Sequence, residues 1–226
     1  VLFLENNARD AENILNTFEA SKEEFESEYG FSTGEFAQRD NARAATRYLE
    51  IQPGVEDPRA GVLLGLAIID RDLQYLEETD CDGVVTKEQR GIGQDRRDGV
   101  HFYSGQVNAN LQTPGMFRVP LVGSFYTADS EIVLADRRFT GPIVGAMLQG
   151  TAPITFVQQK GDDPMNEIAE VFDAAFTVYN ELERFAGTPD FQEGGMAYLQ
   201  RKRELAEIVH NGGYNPGAFL DYMENR

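Results

Sequence analysis

Glu78, Asp80 and Asp82 alternate along a short stretch that ends at Gly83. Carboxylates spaced this way on a tightly curving loop can all face one centre, which suits a hard cation that takes about six to eight oxygens. Gly83 supplies the turn and Val85 anchors the loop to a core. Other residues with chemical potential are sparse. His101 and His210 are the only histidines and Cys81 the only cysteine, so the sequence offers no intrachain disulfide and no thiolate metal cluster. Ser104 and Ser124 stand outside any G-x-S-x-G context, and Gly91-Ile92-Gly93 lacks the third glycine of a dinucleotide loop. No catalytic residue is assigned from these patterns.

The twelve residues from Glu78 to Gln89 resemble the calcium loop of EF-hand proteins. The resemblance implies calcium as the ligand, held by Glu78, Asp80, Asp82 and Thr86, by the Val84 carbonyl, and at the closing position by Gln89. It covers this stretch alone. Gln89 offers a neutral amide where a bidentate carboxylate is usual, and Glu78 is one methylene longer than the usual Asp. Arg90-Gly91-Ile92-Gly93 carries two glycines, each costing a following helix roughly 1 kcal/mol. An ion held here is a structural staple, because a sensor needs paired loops and an apolar groove. The competing reading is an acidic Asp-Gly turn that closes a helix.

Periodicity supplies the elements around the loop. Ala11, Leu15, Phe18, Phe25 and Tyr29 recur at helical spacing and predict a helix from Asn7 to Tyr29. Ser32 to Glu35 has capping-box spacing for a second helix, and Asp57-Pro58 opens a third, striped by Val62, Leu66, Ile69, Leu73 and Leu76. From about 99 to 160 glycine, proline and valine replace the Glu-rich pattern, and strands are expected at 100–107, 117–126, 131–134 and 154–158. Residues 141–150 read equally as strand or short helix. Asp163-Pro164, Pro189 and Asn215-Pro216 open helices near the C-terminus. The expected fold class is α+β, with helical N- and C-terminal segments packed around a strand-rich middle. It forms one domain over 1–226, or else a helical core of 1–98 plus 161–226 with a β-rich insert at 99–160.

The 226 residues carry 38 acidic and 20 basic side chains, a formal charge of −18 that repels phosphate backbones and anionic lipid. Nucleic-acid binding and membrane insertion are not expected. With 41% hydrophobic residues the chain can still bury a core, and it is expected to be soluble. Only Lys22, Lys87, Lys160 and Lys202 are lysines, a bias that suits a saline setting or follows from a GC-rich genome. Leu111 to Tyr126 and Phe139 to Phe156 are apolar with few charges, as a segment covered by a neighbouring subunit would be. The first functional expectation is a non-catalytic structural or interaction subunit of an oligomeric, viral or extracellular, assembly, stapled by calcium. The second is an acidic soluble enzyme that uses carboxylates and His101 in a cleft near the β-rich insert.

Overall fold

The computed structural model describes residues 1–5, 8–29, 37–39, 65–71, 75–79, 85–89, 99–112, 119–185 and 195–226. Five strands form one sheet: β1 (Leu2–Leu4), β2 (Ala37–Arg39), β3 (Leu66–Ile69), β6 (Val122–Thr127) and β7 (Ile154–Gln159). Every pairing in it is parallel, and the order is β2-β1-β3-β6-β7. Strands β4 (Tyr75–Thr79) and β5 (Val85–Gln89) make a separate antiparallel pair between β3 and the next helix. With that pair set aside the order is the doubly wound 2-1-3-4-5 arrangement of flavodoxin-like sheets.

The chain mixes helix and strand, as the sequence predicts, but its strands are spread from residue 2 to residue 159 and pair parallel. Leu66–Ile69, expected inside a third helix, is a strand buried along its whole length. A central parallel strand is covered on both faces, so it shows a continuous apolar run that periodicity cannot tell from buried helix. Residues 100–107, expected as a strand, lie in helix α2 (Gly99–Gln112), and 131–134 lie in α3 (Ser130–Ala135). Val100, Tyr103 and Val107 fall on the buried side of α2 at helical steps, while His101 is exposed. The ambiguous 141–150 stretch is a π turn (Phe139–Ile143) running into α4 (Val144–Leu148). Of the second helix expected after Ser32, the described part, Ala37–Arg39, is strand β2 instead, and the rest lies outside the described residues.

Helix α1 (Ala8–Tyr29) and helix α5 (Pro164–Glu183) cover one face, meeting at Phe18 and Phe172 with ring centroids 5.9 Å apart. Along β6 the alternation sends Tyr126 to that face and Gly123 and Phe125 to the other. There Phe125 packs edge-on against Tyr103 of α2 and Phe139 of the π turn. Asp163 caps α5 through the Asn166 amide, and Asn215 caps α7 (Pro216–Glu224) through Ala218, both before the expected first-turn proline. Between α6 (Met196–Asn211) and α7, the Tyr214 carbonyl accepts the Val157 amide at 2.8 Å and so occupies part of the β7 edge. Phe219 of α7 closes on Phe156.

The parts of the low-charge stretches that form β6 and β7 thus have an internal explanation. All of β6 and all of β7 up to Gln158 are buried in the chain's own core. Gly123 lies directly under the buried Tyr103 ring, where an added methyl would overlap the phenol. Tyr103 cannot step aside, because it is enclosed and its hydroxyl shares a hydrogen bond of 3.2 Å with Thr155. Gly123→Ala is therefore expected to lower stability by about 1–3 kcal/mol, measured by urea unfolding. An unchanged midpoint would show that this packing is loose.

Candidate functional site

In an open parallel sheet, ligands bind beyond the carboxyl ends of the strands, at the point where the strand order reverses. Here the chain runs outward from β1 to β2 and then returns past β1 to β3, so the reversal lies between β1 and β3. Glu5 directly follows β1 and Asp70 directly follows β3, with the Asp70 amide donating to the Leu4 carbonyl at 2.8 Å. Both side chains are buried. Asp10 reaches the same rim from the first turn of α1, and Lys160 enters immediately after β7.

The Lys160 ammonium gathers these acids. Its Nζ lies 2.9 Å from Glu5 Oε2, 2.9 Å from Asp10 Oδ2 and 3.4 Å from Asp70 Oδ1. The Glu5 carboxylate is fully enclosed, with 0% side-chain exposure, against 8% for Asp70 and 24% for Asp10. Burial by itself would lower the Lys160 pKa, but the charges of Asp70 and Glu5 and the hydrogen bonds that the ammonium donates to Asp10 and Glu5 outweigh it and hold the amine well above the ordinary lysine value. Lys160 is thus held in its charged form at neutral pH. Three carboxylates converge on this one ammonium.

The surrounding backbone is firmly tied. The Lys160 amide donates to the Thr127 carbonyl at 2.7 Å, and Gln159 Oε1 accepts the Ser130 amide at 2.9 Å. Gln159 Nε2 also donates to the Ala128 carbonyl, so the turn after β6 is fastened to the end of β7. Thr127, fully buried, ends the strand that lies between Asp70 and Lys160. On the other side Gly99 opens α2 against the Asp70 carbonyl, too close for any side chain, and its amide donates to the Arg71 carbonyl at 3.0 Å. These bonds tie the described part of the rim around the acid cluster.

Sequence reasoning did not single out Glu5, Asp10, Asp70 or Lys160. Lys160 and Glu5 are 155 positions apart, and only the parallel sheet unites them. The available signal was positional: Glu5 and Asp70 are each the first charged residue after an apolar run, Leu2–Leu4 and Leu66–Ile69. His101 lies on the exposed side of the first turn of α2, and His210 lies in the last turn of α6 with its Nδ1 2.6 Å from the Tyr214 hydroxyl. Of the expected calcium loop, Glu78 lies in β4 opposite Thr86 of β5, and Gln89 is opposite Tyr75. Asp80, Asp82 and Val84 lie outside the described residues. Those strands flank the loop where helices were expected before it and, in EF-hand proteins, after it.

Among the described residues no group of three or more acidic, histidine or cysteine side chains is arranged to hold a metal by itself. In the acid cluster the ammonium stands at the focus. Also among the described residues, no helix is long and apolar enough to cross a membrane. Comparison with family models, with curated proteins and with solved structures returns no match.

Proposed function

We propose that this chain is a phosphoryl-accepting module in which Asp70 takes the phosphoryl group and Lys160 pairs with its oxygens. The observation that carries the reading is the Lys160 ammonium held by carboxylates from three separate elements at the reversal point of the sheet. Aspartate is an established nucleophile toward phosphorus, and lysine serves phosphate as a compact point charge. Asp70 suits the role better than its neighbours. Glu5 is fully enclosed, Asp10 sits on a helix turn, and Asp70 has the longest contact to the ammonium, 3.4 Å.

In the reaction one Asp70 oxygen attacks phosphorus, the bond from phosphorus to the leaving group breaks, and the leaving group departs with that electron pair. The product is a mixed anhydride. Magnesium needs only one or two protein carboxylates alongside phosphate oxygens; Asp10, the most open of the three, would hold it with Glu5 behind, each sharing its carboxylate with the Lys160 ammonium, and the ion would neutralise charge on the incoming anion. Lys160, already fixed beside Asp70, exchanges that carboxylate for a phosphoryl oxygen. The added negative charge changes the rim of the sheet, and the consequence is a changed surface for a protein partner rather than turnover of a metabolite. In this form the expectation of an interaction protein is retained.

The test is whole-protein mass spectrometry after incubation with a small acyl phosphate and magnesium. The expected result is a gain of one phosphoryl group that needs magnesium and is removed by hydroxylamine, which cleaves acyl phosphates and spares phosphoserine. No gain, or a hydroxylamine-stable one, would overturn the reading.

A further inference from the structure

One carboxylate at the edge of the cluster makes three bonds that serve none of the acids. Glu167, in the first turn of α5, accepts the Tyr126 hydroxyl at 3.0 Å and the Gly161 amide at 3.0 Å through Oε2, and the Asp163 amide at 3.3 Å through Oε1. It therefore fastens the end of β6 to the loop that carries the chain away from Lys160. Gly161 belongs to the same contact, since a Cβ there would stand 2.6 Å from Glu167 Oε1 and displace it. Tyr126 is buried, and its ring centroid lies 5.1 Å from Lys160 Nζ. The ammonium is thus bounded by acids and by an aromatic face anchored through its own hydroxyl.

We infer that Tyr126 and Glu167 are positioning residues for Lys160: the ring face steers the ammonium as it moves from Asp70 to a phosphoryl oxygen, and Glu167 fixes the ring. The inference rests on the reading of Asp70 as acceptor. Its physical basis is that lysine has a flexible four-carbon stem, whose ammonium needs a guide once one carboxylate partner is consumed. Burial, followed by the bond to Glu167 and its charge, keeps the Tyr126 hydroxyl protonated far above the ordinary tyrosine range. The hydroxyl therefore remains the donor in its bond to Glu167.

The experiment compares Tyr126→Phe, Tyr126→Leu, Glu167→Gln and the Tyr126→Phe/Glu167→Gln double variant with the wild type. Phosphorylation rate per folded molecule is followed by whole-protein mass, and the Lys160 ammonium by its nitrogen–proton NMR signal. Tyr126→Phe keeps the ring and loses the anchor, and is expected to slow phosphorylation roughly tenfold. Tyr126→Leu loses both, with a loss on the order of 100-fold and disappearance of the ring-current shift on the Lys160 signal. Glu167→Gln weakens the bond from Tyr126 and also those from the Gly161 and Asp163 amides, so its loss should be at least that of Tyr126→Phe, and the double variant should fall short of the summed losses because the two changes share the Tyr126–Glu167 bond. A structural role alone would lower melting temperatures while leaving these rates equal. Equal rates, additive losses or a Lys160 signal indifferent to Tyr126 would overturn the inference. If the wild type accepts no phosphoryl group, the acceptor reading fails by itself, and the Lys160 signal in the four variants still decides whether Tyr126 and Glu167 hold the ammonium.

Discussion

Asp70→Asn is expected to remain folded and to accept no phosphoryl group. The amide has nearly the shape of the carboxylate, so the cradle formed by the Leu4 carbonyl, Gly99 and Arg71 keeps its geometry. Charge changes more than shape. Lys160 retains Glu5 and Asp10 at 2.9 Å each, and one of three mutually repelling acids is gone, so the melting temperature should move little. Phosphoryl transfer is different, because a neutral amide oxygen is too weak a nucleophile to displace the leaving group. Glu5→Gln and Asp10→Asn should slow the reaction by roughly 10- to 100-fold without abolishing it, since they remove charge stabilisation and leave the nucleophile. Whole-protein mass after exposure to acyl phosphate and magnesium separates the outcomes. An Asp70→Asn protein that still gains a hydroxylamine-labile group would move the acceptor to another carboxylate and end the present assignment.

Local punctuation in the sequence held at two helix starts and failed at Ser32 to Glu35, which strand β2 follows. Asp163-Pro164 and Asn215-Pro216 open helices as expected, because a capping oxygen and a fixed proline φ act within one turn. The first helix and strands β6 and β7 were legible from their own side chains. Strand β3 was not, since burial on both faces erases the alternation that marks a half-exposed strand. Strand β1 has only three residues and shows no pattern of its own. The parallel order could not be read at all, because pairing such as Ile69 with Phe125 links segments with no local signal between them. The same reason hid the site. Residues 78–89 drew attention because their oxygens are contiguous, whereas Glu5, Asp70 and Lys160 acquire meaning only once three strand ends are set side by side.

Lys160→Met is expected to be the most damaging single change at this site. Methionine fills the space of the stem but removes the ammonium that the enclosed Glu5, the buried Asp70 and Asp10 share. Removing one partner of a buried ion pair typically costs about 3–5 kcal/mol, well above the roughly 0–1 kcal/mol of an exposed pair. A loss of that size should lower the melting temperature by roughly 10 °C in a chain of this length. The pH dependence follows from the raised Lys160 pKa: its contribution is complete below the ordinary lysine value of 10.5 and declines as pH rises from there towards the folded-state value. The gap between wild type and Lys160→Met should therefore be level from neutral pH to about 10 and narrow only above it. A second change separates charge from packing. Glu5→Gln added to Lys160→Met should recover part of the loss, giving a strongly non-additive cycle, because the amide removes the carboxylate that suffers most from the missing ammonium. Denaturant unfolding of the four proteins measures this directly. A Lys160→Met cost below about 1 kcal/mol, with additive behaviour in the cycle, would mean that the cluster is no more than a surface ion pair and would remove the electrostatic basis for phosphate capture by Lys160.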